Sequence, residues 1–293
     1  MEFARKKKKI SAFDIAVTAI TLVLVAAVLY PLILVVSSSI SDPVAVASGE
    51  VLLLPKGFTL DGYKRVFQDE HIMMGYVNSL FYTIVGTLIN LLVTIPAGYV
   101  MTKTEVPGTK IVMMLFLFTM YFSGGMIPSY LNVKDLHLLN SLWSLILPSA
   151  ITTTNLIIMK SAFQAIPESL SESARLDGAS YLQILIKIMI PLSKATMAVM
   201  VLYYGVSRWN SWFAASIYLN DSDLFPLQLV MRNILNMANQ MAGSTGAGAD
   251  EMAQLVELIK YALIVVTTAP ILVLYPFLQK YFVKGVMIGS VKG

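Results

Sequence analysis

Apolar positions along the chain gather into long runs that no charged side chain interrupts. Residues 15–41, 72–102, 111–133, 138–159 and 261–279 contain no Asp, Glu, Lys or Arg, giving runs of 27, 31, 23, 22 and 19 residues. About 20 apolar residues carry a helix across the hydrocarbon core of a bilayer, so each run predicts a spanning helix. A sixth, from near Ile188 to near Trp209, has Lys194 towards one end and Arg208 towards the other. Both side chains are long enough to snorkel to an interface. The alternating ten-residue strands of a membrane barrel do not fit runs this long and this evenly apolar. The pattern predicts an all-α integral membrane protein with six transmembrane helices, at about 13–37, 76–101, 111–130, 142–162, 188–211 and 259–280. The first run exceeds the apolar segment of a removed signal peptide and no small-residue cleavage site follows it, so it is expected to remain as the first helix.

Composition agrees. Charged residues are 13% of 293, about half the usual share of a soluble domain, and 57% of positions are hydrophobic. Too few polar side chains exist to cover a water-facing surface, which excludes a soluble globular enzyme. The absence of Cys excludes a disulfide-stapled module, and a net charge of +4 is too small to suggest nucleic-acid binding.

The sign of the charges predicts orientation. Arg5 and Lys6 to Lys9 precede the first helix, which places residues 1–12 in the cytoplasm under the positive-inside rule. Six crossings return the C-terminal tail, 286–293, to the same side. This topology leaves 14 basic residues inside against 7 outside, and 6 acidic residues inside against 11 outside.

Three connections stand out. The outside segment 42–71 suggests a short helix near Leu60–Phe67. The outside loop 220–257 has a centre, Asn236 to Asp250, rich in Met, Ala, Gly, Ser, Asn and Gln. Its composition favours a floppy surface loop, and the functional reading is a loop that orders against an external partner. The inside segment 166–190 reads as two short helices. Pro167 and Glu168 suit a helix start, and Ile166, Leu170 and Ala174 share one side. Gly178 suits a left-handed stop. Ser180 and Gln183 form a capping-box pair for a second helix, and Pro191 is expected where the fifth span begins.

Glu172-Ser173-Ala174 is followed after three residues by Gly178, and after nine more by Ile188-Met189-Ile190-Pro191. This resembles the EAA signature of binding-protein-dependent ABC importer permeases, with Ser173 for the first Ala and Ile190 for Leu. The Asp177-Gly178-Ala179 form, the six spans and the ending Gly289-Ser290-Val291-Lys292-Gly293 are similar to the carbohydrate-uptake branch, which includes the smaller permease subunit of the maltose type. The resemblance implies a type I ABC importer permease fold, with both termini cytoplasmic, in the cytoplasmic (inner) membrane of a bacterium or archaeon.

It also implies the following roles. Leu170, Glu172, Ala174, Asp177, Gly178, Ala179 and Pro191 would form the coupling loop that docks on an ATPase subunit, with Ala174 and Leu170 as a small apolar face and Glu172 meeting a basic residue there. Gly289, Val291, Lys292 and Gly293 would lie along that ATPase. Asn236, Asn239, Gln240, Gly243 and Ser244 would fall in the loop that reaches an extracytoplasmic solute-binding protein. The chain has no G-x-x-x-x-G-K-[ST] phosphate loop, so ATP and Mg are expected on two ATP-binding cassette partners. A second, unlike permease subunit would complete the pathway for a sugar or oligosaccharide. A non-sugar solute, a peptide or polyamine, is the alternative.

A sugar pathway needs hydrogen-bonding groups and aromatic faces inside the bundle. Candidates are Asn90, Tyr121, Asn155, Tyr203, Tyr204, Arg208, Trp209, Asn210 and Trp212. The plainer readings are interfacial belts for the aromatics and helix-to-helix glue for the two Asn residues. Arg208 reads either as an anchor at the outer end of its span or as an attractor for an acidic sugar. His71 and His137 are solitary, so no metal site is expected, and the 17 Met residues read as packing. An intramembrane enzyme or an ion-relay transporter would want paired carboxylates or activated nucleophiles within spans, and none is visible.

Overall fold

The computed structural model describes residues 11–241, 256–257, 259–273 and 276, which are mostly helical, with no strand among them. The Gly289, Val291, Lys292 and Gly293 tail, together with Gly243 and Ser244, lies outside the described residues. The chain divides into two compact units, one within 1–68 and 234–266, the other within 69–233 and 267–293.

In the first unit, helix α1 (Ala12–Ser39) begins with a capping box in which Ser11 and Asp14 satisfy each other's backbone N–H groups. Residues 12–33 are exposed all around, as suits a helix whose solvent is lipid. The serines at its end turn inward. Ser37 Oγ donates to Leu53 O at 2.6 Å, Ser39 Oγ lies 2.8 Å from Tyr63 Oη, and Ser41 Oγ accepts from Lys56 N at 3.1 Å. These bonds tie down the connection that carries α2 (Pro43–Ala47) and α3 (Asp61–Gln68).

The second unit is organised on α4 (Glu70–Val100), which packs along α8 (Thr153–Gln164) and α12 (Lys194–Trp209). Close approach is built in. A Cβ on Gly98 would stand 2.7 Å from Met159 Cγ, so this position must stay bare for α4 and α8 to touch. Two apolar clusters lie at different levels of the unit. One joins Tyr99, Met159, Phe163, Ile184, Leu185, Met189 and Met200. The other joins Tyr82, Leu145, Ile146, Ala215, Leu219 and Leu229.

Three spans expected to be continuous are interrupted. In place of 111–130 stand α5 (Thr109–Tyr121) and α6 (Met126–Asp135), divided at Gly124 and Gly125, the latter at φ +87°. In place of 142–162 stand α7 (Trp143–Ile146), a 3-10 turn (Leu147–Ser149) and then α8, with a bend of 51°. Pro148 and the β-branched run Ile151 to Thr154 oppose a continuous helix here. The stretch before the fifth span is α10 (Tyr181–Ile184), a π-turn (Leu185–Met189) and α11 (Ile190–Leu192), followed by an 86° bend at Ser193 into α12. Pro191 therefore stands in α11, just ahead of the bend at Ser193. Its missing N–H and its ring, set against the preceding turn, favour the wider π geometry just ahead of it. Among the described residues α1 and α4 are long and apolar enough to span alone, and the two bent pairs bring the number to four. Helices Thr109–Tyr121 and Ile259–Val273 are apolar but shorter.

After α13 (Phe213–Tyr218) comes α14 (Leu227–Met241). Asn236, Asn239 and Gln240 thus stand on a helix, although the composition of 236–250 favours a floppy loop. The approach to α14 is held by α4: Asn78 Nδ2 donates to Asp223 O at 2.7 Å, Tyr82 Oη to Leu224 O at 2.8 Å, and Leu227 N to Ser79 Oγ at 2.8 Å. Helix α15 (Ile259–Val273) follows.

Candidate functional site: a coupling loop and a polar hub

The loop that carries the sequence motif is α9 (Glu168–Leu176), Gly178 and α10. Pro167 is the N-cap and Glu168 the first helical residue, where its carboxylate meets the positive end of the helix. The helix closes as a Schellman motif: Gly178 N donates to Arg175 O and Ala179 N to Ala174 O, both at 2.9 Å, with Gly178 at φ +82°. Nothing lies within 4 Å of a Cβ built on Gly178, so the sign of φ, not space, demands glycine. The second helix starts with the expected box, Gln183 N donating to Ser180 Oγ at 3.3 Å and Ser180 N to Gln183 Oε1 at 2.8 Å.

The two faces of this element differ from the expectation at one position. Ala174 packs with Ile166 and Ala179 against the Tyr99–Phe163–Met189 cluster, so it seats the loop on its own bundle and does not project outward. The projecting side chains are Leu170, Glu172, Asp177 and above all Leu176, which is 89% exposed. Leu176 is not part of the motif, although a large apolar residue just before a helix stop is a signal available in the sequence. Beside it, Asp177, Gly178, Ala179, Gln183, Ile184, Lys187 and Ile188 line a depression of about 250 Å³. The loop is braced by Arg175, whose Nη2 reaches Glu105 Oε1 at 3.4 Å and whose guanidinium lies 4.9 Å from the Tyr181 ring centre. The Glu105 carboxyl is held below its ordinary value, first by its own backbone N–H, with Lys103 and Arg175 adding to the effect.

The pathway candidates scatter. Arg208 and Asn90 meet in a polar hub. Arg208 donates from Nε to Asn90 Oδ1 at 3.1 Å, from Nη1 to Ser149 Oγ at 2.8 Å and to Leu145 O, and from Nη2 to Ile146 O at 3.1 Å and Ser149 O at 3.0 Å. Asn90 is fully buried and donates from Nδ2 to Ser149 O at 2.6 Å and Ala150 O at 2.7 Å. These carbonyls end the broken helix after α7, where no following turn supplies N–H partners. Backbone of this kind survives at membrane depth only where protein groups satisfy it.

Tyr204 is buried with its hydroxyl 2.7 Å from Thr94 Oγ1. Trp209 is buried, donates from Nε1 to Thr267 O at 3.0 Å and meets Tyr76 edge-on. Asn155 is buried on α8. Tyr121, Tyr203 and Asn210 are exposed, Tyr121 by 82%. Trp212 is half-buried beneath the guanidinium of Arg232, a residue the sequence did not single out.

Residues 72–288 match the family described as the binding-protein-dependent transport system inner membrane component. The chain belongs to this family. Relatives extend the likeness across nearly its whole length. The polygalacturonan/rhamnogalacturonan transport system permease protein YtcP of Bacillus subtilis (strain 168) is 41% identical over 284 residues, 96% of this chain and 98% of that one. Protein LplC of the same organism is 43% identical over 266 residues, 90% of this chain and 89% of that one. Among solved structures, a bacterial ABC transporter involved in the import of the acidic polysaccharide alginate contains a chain that superposes with a TM-score of 0.85. It is 34% identical, with 96% of this chain and 100% of that one covered. The permease is thus a membrane-embedded transport component, and its family match begins in the first turn of α4. Helices α1 to α3 precede the matched stretch, but the 96% coverage in YtcP takes most of them in.

Proposed function

We propose that this permease forms one half of the translocation pathway of an ATP-driven importer of acidic oligosaccharides, of the uronate-containing class. The observation that carries the substrate class is the joint likeness, over 96% of the chain, to an alginate importer component and to a polygalacturonan/rhamnogalacturonan permease. Both polymers are rich in sugar carboxylates, and a peptide or polyamine permease has no comparable support.

In this reading six crossings place both termini in the cytoplasm, counting each bent pair and each shorter apolar helix as one crossing. An unlike permease supplies the other half. Two ATP-binding cassette subunits bind Mg and ATP. One of them receives Leu170, Glu172, Leu176 and Asp177 in a cleft, while Ala174, Ala179 and Gly178 hold the loop rigid so that a push on α9 moves α12. The C-terminal Gly289, Val291, Lys292 and Gly293 lie along the same subunit. An extracytoplasmic binding protein delivers the sugar near α14 and the Asn236–Ser244 stretch.

The test is import by the assembled complex in proteoliposomes with external binding protein and internal ATP. Tri- or tetragalacturonate is expected to accumulate and neutral maltotriose is not. Accumulation of a dipeptide or polyamine in preference to both would contradict the proposal.

A further inference from the structure

The described part of the permease has a cationic group that none of its neighbours consumes. The guanidinium carbon of Arg232, on α14, lies over the Trp212 ring, 3.7 Å from its centre, a distance that suits stacking of guanidinium on indole. Arg232 is exposed, and among the described residues it makes no hydrogen bond and no ion pair. Arg208, the other arginine near this level, differs in every respect, since its donors are spent on carbonyls and Asn90.

The platform beneath Arg232 is rigid. Trp212 packs against the Tyr82–Ile146–Leu219 cluster and meets Phe213 edge-on at 5.5 Å. Stacking fixes the plane of the guanidinium, so its N–H groups point sideways from the stack as a fork matched to a carboxylate. Within the second unit the pair also lies at the end of α12 away from the coupling loop. Trp212 lies shortly after the last residue of α12, and the coupling loop lies ahead of its first, before α11 and the bend at Ser193. The 16-residue helix between them is about 24 Å long.

We infer that Arg232, held flat on Trp212, is a docking point for a sugar carboxylate at the end of the pathway away from the coupling loop. Trp212 orients the fork and Arg232 makes the bidentate contact. This inference rests on the acidic-oligosaccharide reading above and adds a residue-level origin for the preference for charge.

The experiment uses the complete permease–ATPase complex in nanodiscs of phosphatidylcholine, with trigalacturonate and its fully methyl-esterified form as probes. Equilibrium binding is compared for wild type, Arg232→Gln and Arg232→Lys, alongside wild-type import of trigalacturonate in proteoliposomes. Arg232→Gln is expected to weaken trigalacturonate binding on the order of tenfold to a hundredfold, the usual loss for a charge-assisted pair, and to leave the ester unaffected. Arg232→Lys keeps the charge, loses the fork and falls between. It also carries the comparison if Arg232→Gln fails to assemble. Equal weakening of both probes, or of neither, with wild-type import intact would overturn this inference alone and mark Arg232 as a packing residue or an anchor to lipid phosphate. Absence of wild-type import would overturn the acidic-oligosaccharide reading itself.

Discussion

Nε and Nη2 of Arg208 both donate to Oδ1 of Asn90, at 3.1 and 3.0 Å, across 118 positions of sequence. The two side chains then share the carbonyls at the end of the broken helix after α7. A cation and an amide thereby make good a gap in a backbone, and α4, α7 and α12 are joined through it. An intramembrane charge usually marks a substrate or ion path, but the partners of Arg208 here are neutral oxygens of its own chain.

Arg208→Gln is therefore expected to act on stability more than on substrate choice. Removing it leaves several carbonyls under-satisfied and should cost about 2–3 kcal/mol. Thermal unfolding of the purified complex measures this, and trigalacturonate import should fall in step with the loss of folded complex, with no gain of neutral-sugar import. Arg208→Lys should rescue little, because one ammonium cannot reach carbonyls spread over Leu145 to Ser149. A double-mutant cycle with Asn90→Leu should show coupling above roughly 0.5 kcal/mol, the scale at which neighbouring sites cease to be additive.

At Gly178 the backbone, not the space, is restrictive. Gly178→Val should cost about 1–2 kcal/mol, the penalty of a left-handed conformation for a residue with a Cβ, and should reduce capture of the ATPase subunit in a pull-down. Gly178→Asn should lose much less, since Asn visits this region readily. Equal losses for both would mean that the side chain itself is excluded by the partner.

Leu176 offers the converse case. Its side chain is almost wholly exposed, so Leu176→Asp should leave the melting temperature of the permease unchanged while sharply lowering ATPase association and ATP-driven import. Ala174→Asp, by contrast, should destabilise the loop, because Ala174 faces the bundle.

The Glu105–Arg175 brace predicts a pH dependence. The carboxyl is held below its ordinary value of 4.5 by its own backbone N–H and by Lys103 and Arg175. A carboxyl lowered on folding stabilises the fold above its unfolded pKa and loses that contribution as pH falls through the folded one. Wild type should exceed Glu105→Gln in stability above about pH 5, and the difference should shrink as the pH drops below 4.5. Chemical denaturation of the two proteins at pH 7 and pH 4 measures the gap.

The helix–Gly178–helix geometry of the motif loop could be read almost whole from the sequence because its determinants are local. Ser180 and Gln183 are three residues apart, Gly178 closes the helix it follows, and Glu168 sits at the start of α9. The asymmetry of its faces was not legible, since Ala174 turns inward only because Tyr99, Phe163 and Met189 arrive from distant segments. Hydropathy located apolar runs but not their breaks, because a run stays apolar on both sides of a bend. The breaks at residues 150–152 and at Ser193 depend on what satisfies the freed backbone. For the first of them the donors are Asn90 and Arg208, far along the chain. Arg232 stood out in no local pattern, and its pairing with Trp212 is likewise a matter of tertiary structure.

The most direct measurement is ATP hydrolysis by the complete complex in proteoliposomes, driven by binding protein loaded with trigalacturonate, for wild type and for Leu176→Asp. Strong stimulation by the loaded binding protein in wild type, lost in Leu176→Asp and not produced by maltotriose, is the expected result. Stimulation by maltotriose or a dipeptide in preference to trigalacturonate, or full stimulation of Leu176→Asp, would contradict it.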